Sequence, residues 1–345
     1  MTALAVIDVC GYVLPAAELL YERAVGPLRG HWPELGDRLA LTLPTPGIGD
    51  WNSCYTRFVS NADIGLAADG SPATPSPLPM PVAQRRDFLE ARILHDNARG
   101  RLRALEALGI DMQVLHPASG LDTLTDLGTA AGALLFNAYN SYVTGYCEKG
   151  LKQLKAVLQL HPLATEWAGS ELGWWGAHPA VAGVTVHLPA SVPADSAELA
   201  EVCETVAKAG LTLFHRAGSS AASWTPPAFL SFLRSQKLPD RYPDLTVALV
   251  GWPEEKLAEW APDLWQWPTG TGRVLAAVGS PHSLPGRENA ALWASNFPFD
   301  APDLAERIEA IRKTGFGTAG AERILANRMP ASSAVSPPVS VAFSA

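Results

Sequence analysis

Residues 181–216 read VAGVTVHLPASVPADSAELAEVCETVAKAGLTLFHR, and this stretch decides the fold. It begins and ends with short runs of mainly apolar residues, 181–186 and 211–214, and a histidine follows each run at once. Between them, residues 195–209 repeat apolar side chains at helical spacing, and Gly210 follows where a helix C-cap belongs. Continuous apolar strands are typical of parallel sheets covered on both faces. The stretch therefore predicts a strand–helix–strand unit with parallel strands.

The same alternation recurs along the whole chain. Strands are predicted at 3–9, 111–115, 156–160, 181–186, 211–214, 245–250, 273–278 and 290–294. Strand alternating with helix about eight times favours a closed (β/α)8 TIM barrel of the α/β class over an open doubly wound sheet.

The chain of 345 residues fits one domain of this kind. We predict a barrel over residues 1–329. A proline-rich insertion at 44–83 is expected to form a lid, since long loops in compact domains are usually functional. Residues 330–345 are expected to form a flexible tail.

The composition of the chain limits the classes of molecule that it is expected to bind. The net charge of −8 argues against nucleic acid and anionic membranes, both of which select for clustered Lys and Arg. No run approaches the roughly 18 apolar residues that span a bilayer. Asp8 interrupts the apolar N-terminus, which we interpret as a buried first strand rather than a signal peptide. Four scattered cysteines without a CxxC pair fit a reducing cytoplasm. The expected partner is a small-molecule substrate.

Four histidines, His116, His161, His187 and His215, each follow a predicted strand. The C-terminal ends of barrel strands carry the active site in this fold. Adjacent side chains alternate between the lumen and the helix layer, so each histidine either lines the mouth or caps its strand by bonding a neighbouring carbonyl. We predict His116, His161 and His187 as substrate-binding residues and keep the capping role as the alternative.

Several segments together resemble a known family. The chain is similar to the amidohydrolase-related barrels that include aminocarboxymuconate-semialdehyde decarboxylase and the aromatic-acid decarboxylases. The landmarks occur in the family's order over nearly the whole chain. They are IDVCGYVLP at 7–15, ARGRLRALEALGIDMQVLHP at 98–117, NAYNSYVTGYCEKGLKQLKAVLQLHP at 137–162, LTLFHRAG at 211–218, YPDLTVALVGWPEE at 242–255 and ALWASNFPFDAP at 291–302.

The resemblance implies a divalent metal site from which this chain departs. The family holds its ion on two residues of the first strand, a histidine of the fifth and an aspartate of the eighth, and a histidine of the sixth is the catalytic base. The matching positions here are Cys10, Tyr12, His215, Asn296 and Gly251. Zinc needs about four donors, and tyrosine and neutral asparagine are poor ones. We therefore expect a degenerate metal site and no cofactor. The alternative is zinc or another divalent metal held by Cys10, His215 and the additional histidines.

Without a metal, side chains must supply the chemistry. The resemblance points His215 into the lumen, where an imidazole can shuttle protons at cellular pH. Tyr12 can donate from its hydroxyl, and the Asn296 amide can hold a developing oxyanion. Cys10 is a candidate nucleophile, with a small buried thiol as the alternative. These four are the predicted catalytic residues.

Two further residues are predicted to contact the substrate. Arg216, beside His215, can bind a substrate carboxylate or pair with a surface acid. Trp252 can form an aromatic wall for a flat ligand or pack in the core.

The leading hypothesis is a metal-independent enzyme that acts on a small apolar or aromatic substrate by acid–base chemistry. The reactions considered are elimination, decarboxylation, cyclisation and ring hydrolysis, with secondary metabolism as a setting. One alternative is a metal-dependent hydrolase or decarboxylase with an unusual ligand set. Another is a non-catalytic pseudoenzyme that assembles with an active paralogue. Family resemblance also leads us to expect a homo-oligomer.

Overall fold

The structure is a computed structural model. It describes residues 5–13, 20, 23, 97–117, 129–189, 191–217, 224–264, 274–279, 290–295, 304–318, 321–322 and 325. The predicted lid at 44–83 and the predicted tail at 330–345 lie outside the described residues.

Eight parallel strands form one sheet in the order in which they occur along the chain, with each strand hydrogen-bonded to the next. They are β1 Ile7–Val13, β2 Met112–Pro117, β3 Leu154–Leu160, β4 Val181–Val186, β5 Thr212–Arg216, β6 Val247–Val250, β7 Val274–Val278 and β8 Ala291–Trp293. β1 also lies against β8, so the sheet curls into a nearly closed barrel. The predicted (β/α)8 barrel is confirmed.

Helices separate most of the strands. Those described are α1 Ala98–Leu108, α2 Thr129–Glu148, α3 Thr165–Trp175, α4 Ala197–Lys208, α5 Pro226–Ser235, α6 Leu238–Arg241, α7 Glu254–Leu264 and α8 Leu304–Thr314. Ser196 caps α4 by accepting a hydrogen bond from the Leu199 backbone N–H at 3.1 Å. None of the described helices is both long and apolar enough to cross a bilayer.

The apolar core has two parts. A cluster inside the barrel contains one set of alternate strand residues, such as Val9, Val114 and Phe214. A larger cluster between the sheet and the helices contains the other set, such as Leu115 and Leu213. Membership of one cluster or the other therefore shows which way each strand residue faces.

The first strand differs from its prediction. It spans Ile7–Val13 rather than 3–9, because the pairing with β2 shifts between Asp8 and Gly11. The strand continues past this β-bulge through Gly11 and Tyr12, beyond its predicted end at Val9. It also places both Val9 and Cys10 in the interior cluster.

Asp8 ties the two edges of the sheet together. Its carboxylate accepts hydrogen bonds from the Ser295 backbone N–H at 2.9 Å and hydroxyl on the β8 side, and from the Gln113 amide of β2. Arg101 of α1 donates to the Gln113 side-chain oxygen at 2.8 Å and to the Tyr12 carbonyl at 2.7 Å. Burial raises the pKa of Asp8, against the opposing effect of these hydrogen bonds. The network lies on the helix side of the barrel, so Asp8 closes the seam between β8 and β1.

Candidate active site

Strand β5 brings a different residue into the lumen from the one that was expected. Phe214 belongs to the interior cluster and Leu213 to the outer one. The His215 ring lies 4.6 Å from the ring of Phe229, which is part of the outer cluster. His215 thus faces the helices, whereas the expectation placed it inward. By the same alternation Arg216 shares the inward side with Phe214.

His215 is held between two aromatic rings. Its ring is tilted by 30° to Phe229 and lies 5.4 Å from Trp252 at 35°. Trp252 donates from its indole N–H to the His215 carbonyl at 3.3 Å, and its ring lies 5.4 Å from that of Trp260. Burial lowers the pKa of His215 to about 3. Trp252 therefore packs against the outer core, as the structural alternative for that residue had it.

Arg216 is buried at the end of β5 and acts on the groups around it. Its positive charge contributes to the lowered pKa values of His116 and His187 and opposes the raised pKa of Cys10. Thr185 pairs with Phe214, so His187 and Arg216, two residues further on, follow at matching positions. The guanidinium thus lies at the mouth, among an interior thiol and two imidazoles.

His116 is fully buried and neutral. One ring nitrogen, Nε2, lies 2.9 Å from the Val9 carbonyl oxygen, and because a carbonyl only accepts, Nε2 carries the proton. The other nitrogen, Nδ1, has no hydrogen-bond partner among the described residues and is left as an acceptor. Burial first, and the charge of Arg216 second, lower the pKa of His116 to about 3. Its ring meets Phe214 edge-on at 4.8 Å.

The two remaining strand-end histidines differ from each other. Burial, and then Arg216, lower the pKa of His187 to about 3, so it is neutral at cellular pH. His161 accepts a hydrogen bond from the Leu163 backbone N–H at 3.2 Å, and its ring lies 6.3 Å from that of Phe136 on α2. This contact joins the His161 ring to an N–H in the turn after β3, whereas the carbonyl contact considered for the strand-end histidines is the one that His116 makes with Val9.

Cys10 and Tyr12 form a pair on the bulged first strand. The Cys10 thiol donates to the Tyr12 hydroxyl oxygen at 3.3 Å, and burial raises the pKa of Cys10 to about 12. Tyr12 packs against the interior cluster. A Cβ added to Gly251, which has φ +70°, would lie 3.1 Å from the Tyr12 hydroxyl oxygen and 3.9 Å from Cγ of Arg216. Tyr12 and Arg216 therefore converge on Gly251, the position matched to the family's catalytic base.

Gln159 is a candidate site residue that was not predicted. It lies on β3 between Leu158 and Leu160 of the outer cluster, so its side chain faces the interior, as that of Val157 does. It is fully buried, and neither its amide nitrogen nor its amide oxygen has a hydrogen-bond partner among the described residues. The signal was available in the sequence: a carboxamide in the middle of the apolar run 156–160.

Comparisons with known proteins identify the type of barrel. No family model matches the chain, and no curated protein matches it in sequence. Among solved structures, 5-carboxyvanillate decarboxylase from Sphingomonas paucimobilis is similar with TM-score 0.55 and 16% identity over 94% of this chain and 99% of that one. The Novosphingobium aromaticivorans enzyme of the same name gives 0.57 and 14% over 94% and 96%. A 2,6-dihydroxybenzoate decarboxylase from Rhizobium gives 0.56 and 13% over 95% and 99%.

At these identities the likeness establishes the fold, and it confirms the predicted resemblance at that level. It also corrects one prediction. The Novosphingobium enzyme was crystallised with manganese, which contradicts the prediction of no cofactor. That prediction rested on matching positions in sequence, and at β5 such matching selected His215, whose ring faces the helices. The matching of positions therefore did not identify which residues line the interior of the barrel.

A divalent cation requires several carboxylate, thiolate or imidazole donors around one point. Within the part of the chain that the structure describes, no group of three or more His, Cys, Asp or Glu side chains is placed to hold one. Arg216 adds positive charge near Cys10, His116 and His187. These residues do not fit a divalent cation by themselves. Asn296, matched to a family ligand, lies outside the described residues.

Proposed function

We propose that the protein is an enzyme of the decarboxylase or hydrolase type that acts on a small aromatic carboxylic acid at the C-terminal mouth of the barrel. The observation that carries the proposal is the buried Arg216 at the end of β5, flanked by the neutral imidazoles of His116 and His187. Active sites of this fold lie at that end of the strands. A guanidinium binds carboxylates through two parallel hydrogen bonds.

The similar structures favour decarboxylation among the reactions considered. All three are named for removing a carboxyl group from an aromatic acid, 5-carboxyvanillate or 2,6-dihydroxybenzoate. The Novosphingobium enzyme was crystallised with 4-hydroxy-3-methoxy-5-nitrobenzoic acid. An aromatic acid would bring to this mouth both a carboxylate for Arg216 and a ring for the apolar interior around Phe214.

The interior strengthens the interaction with Arg216. Val250 of β6 pairs with Arg216, and Ala277 of β7 follows at the level of Val250. Both residues are apolar and buried. Charges attract each other more strongly where water is excluded. A carboxylate bound at Arg216 is therefore attracted more strongly than it would be at the surface, and Val250 and Ala277 offer its ring an apolar contact.

Decarboxylation of an aromatic acid requires a proton at the ring carbon that bears the carboxylate. The bond from that carbon to the carboxylate then breaks, its electron pair returns to the ring, and CO2 leaves. Tyr12 is the proposed proton donor, because its hydroxyl lies beside Gly251, where Cγ of Arg216 also lies. The thiol of Cys10, which donates to the Tyr12 oxygen, stabilises the tyrosinate until it regains a proton from solvent. Catalytic roles for His215 and Asn296 stay predictions.

The experiment is a turnover assay on full-length protein with 5-carboxyvanillate and 2,6-dihydroxybenzoate, followed by chromatography of acid and product. We expect Arg216→Met to lower kcat/KM by at least about 100-fold, since truncating a buried charge partner costs several kcal/mol. The matched control is Arg241→Met, because Arg241 is half-exposed and pairs with Glu204 at 2.8 Å on the surface. Wild-type protein that turns over neither acid, or Arg216→Met that remains fully active, contradicts the proposal.

A metal-dependent form of the same reaction is the second candidate, favoured by the manganese in the Novosphingobium enzyme. Elemental analysis of protein purified without chelators, followed by titration with manganese, tests it. A stoichiometric metal whose removal abolishes turnover supports this form, and full activity after chelation opposes it. Binding of aromatic acids without turnover under both conditions would favour the pseudoenzyme hypothesis instead.

A further inference from the structure

We propose that Gln159 is a specificity-determining residue whose carboxamide binds a neutral hydroxyl group on the ring of the ligand. This inference rests on the proposed function, since it assigns a second contact to the aromatic acid held by Arg216. Its basis is the interior carboxamide of β3, fully buried, with neither polar atom hydrogen-bonded to a described residue.

The backbone of Gln159 is fixed from the helix side. Asn140 of α2 accepts from the Gln159 N–H at 2.7 Å and donates to the Gln159 carbonyl at 2.9 Å. Glu171 of α3 accepts from the Asn140 amide at 2.9 Å and from Asn137 at 2.8 Å. Asn140 thus binds both backbone groups of Gln159 as a neighbouring strand would, and two helices hold the residue in place.

A fixed carboxamide with buried, unpaired polar atoms is unfavourable unless a ligand satisfies it. A buried amide without hydrogen bonds costs more than an apolar side chain of similar size. Gln113 shows the contrast, because its buried amide donates to Asp8 and accepts from Arg101. The unsatisfied amide of Gln159 therefore indicates a place for a bound group.

The chemistry of the amide selects the kind of group. A carboxamide offers one donor and one acceptor side and carries no charge, so it matches a hydroxyl, which also donates and accepts. Gln159, Thr185 and Phe214 are level across three neighbouring strands. Arg216 lies two residues further along β5, about 7 Å closer to the mouth. A ring between these layers can place its carboxylate at Arg216 and a hydroxyl at Gln159.

The first measurement is thermal unfolding without ligand. Met is close to Gln in shape and removes both unsatisfied atoms, so Gln159→Met is expected to keep or raise the wild-type melting temperature. A carboxamide that served only the fold would do the opposite. A clear loss of melting temperature in Gln159→Met overturns the proposal.

The second measurement is calorimetric titration with 2,6-dihydroxybenzoate and benzoate. Wild-type protein is expected to prefer the dihydroxy acid by about tenfold or more, because a site built to hydrogen-bond a hydroxyl rejects an analogue that lacks it. Gln159→Met should lose that preference and keep its affinity for benzoate within about twofold. Gln153→Met is the matched control, because Gln153 directly precedes β3, at the end of the strand away from the mouth, and this variant should behave as wild type.

Arg216→Met separates the two proposals, since it should weaken both ligands alike. If wild type and Gln159→Met show the same preference, the role of Gln159 is overturned and the proposed function stands. The same holds if wild type binds both acids equally well. If wild type binds neither acid, the proposed function is overturned and the role of Gln159 with it.

Discussion

Gly251 lies beside the Tyr12 hydroxyl, and its lack of a side chain leaves space for that group. Its φ of +70° is in the left-handed region, and a Cβ there would lie 3.1 Å from the Tyr12 hydroxyl oxygen. We expect Gly251→Ala to cost roughly 1–2 kcal/mol of unfolding free energy from backbone strain, and to lower turnover by displacing Tyr12. Urea unfolding and the turnover assay measure the two effects.

The control for Gly251 is a glycine with neither constraint. Gly169 lies within α3, and apart from the helix's own backbone no atom of the described residues lies within 4 Å of an added Cβ. Gly169→Ala should raise stability by about 0.5–1 kcal/mol through helix propensity. Equal effects of the two substitutions would contradict the account of Gly251.

Two substitutions of His215 distinguish a packing role from a catalytic role. Removing its ring in His215→Ala should destabilise the protein by roughly 2–4 kcal/mol, because Phe229 and Trp252 lose the ring between them. His215→Phe keeps a ring there and should retain both stability and most of the turnover, since the imidazole faces the helices. Denaturant unfolding and kcat measured on both variants test this. A stable His215→Phe protein without turnover would return His215 to the catalytic residues, as the sequence predicted.

At the scale of the elements, the order of strands could be predicted and their local geometry could not. Alternating strand-like and helical segments were enough for eight parallel strands. The bounds of β1 were missed, because the strand continues past the bulge between Asp8 and Gly11, where the regular alternation of side chains is interrupted. Around β5, the sequence marked both His215 and Arg216, but a shift of one residue reverses which of them faces the lumen. Only the packing of Phe214 and Phe229 decides that direction.

The Gln113 amide stabilises the seam between β8, β1 and β2 through its hydrogen bonds to Asp8 and Arg101. Gln113→Met should lower the unfolding free energy by about 3 kcal/mol or more, because Asp8 and Arg101 both lose a buried partner. Urea unfolding followed by circular dichroism measures the loss. Gln159→Met is the matched comparison, because it is the same substitution at a buried position whose amide has no hydrogen-bond partner among the described residues. Similar losses in the two variants would contradict the distinction between a satisfied and an unsatisfied amide.

At the scale of the whole molecule, the lowered pKa values of three histidines among the described residues make stability depend on pH. Burial lowers the pKa of His116, His187 and His215 to about 3, well below the ordinary value near 6.5. Between these values the unfolded chain binds protons that the folded protein does not. The free energy of unfolding is therefore expected to keep its full value above about pH 6.5. It should fall as the pH drops toward 3, by several kcal/mol at pH 4. Thermal unfolding from pH 8 to pH 4 measures it.

The control for this pH dependence is His187→Gln, which removes one of the three histidines. It leaves Asp8 and Glu171 in place, whose pKa values are raised by burial and which act in the opposite direction at low pH. The variant should lose less stability on acidification than the wild type. An unchanged pH profile in His187→Gln would show that His187 is not buried in its neutral form.

The protein carries a net charge of −8, yet the described mouth contains a buried guanidinium. The most direct test is to titrate full-length protein with benzoate and with its neutral analogue benzamide, for the wild type and for Arg216→Met. We expect the wild type to bind benzoate at least about tenfold more tightly than benzamide, and Arg216→Met to bind the two alike. Equal binding of the two ligands by the wild type, or an unchanged preference in Arg216→Met, would contradict an anion site at Arg216.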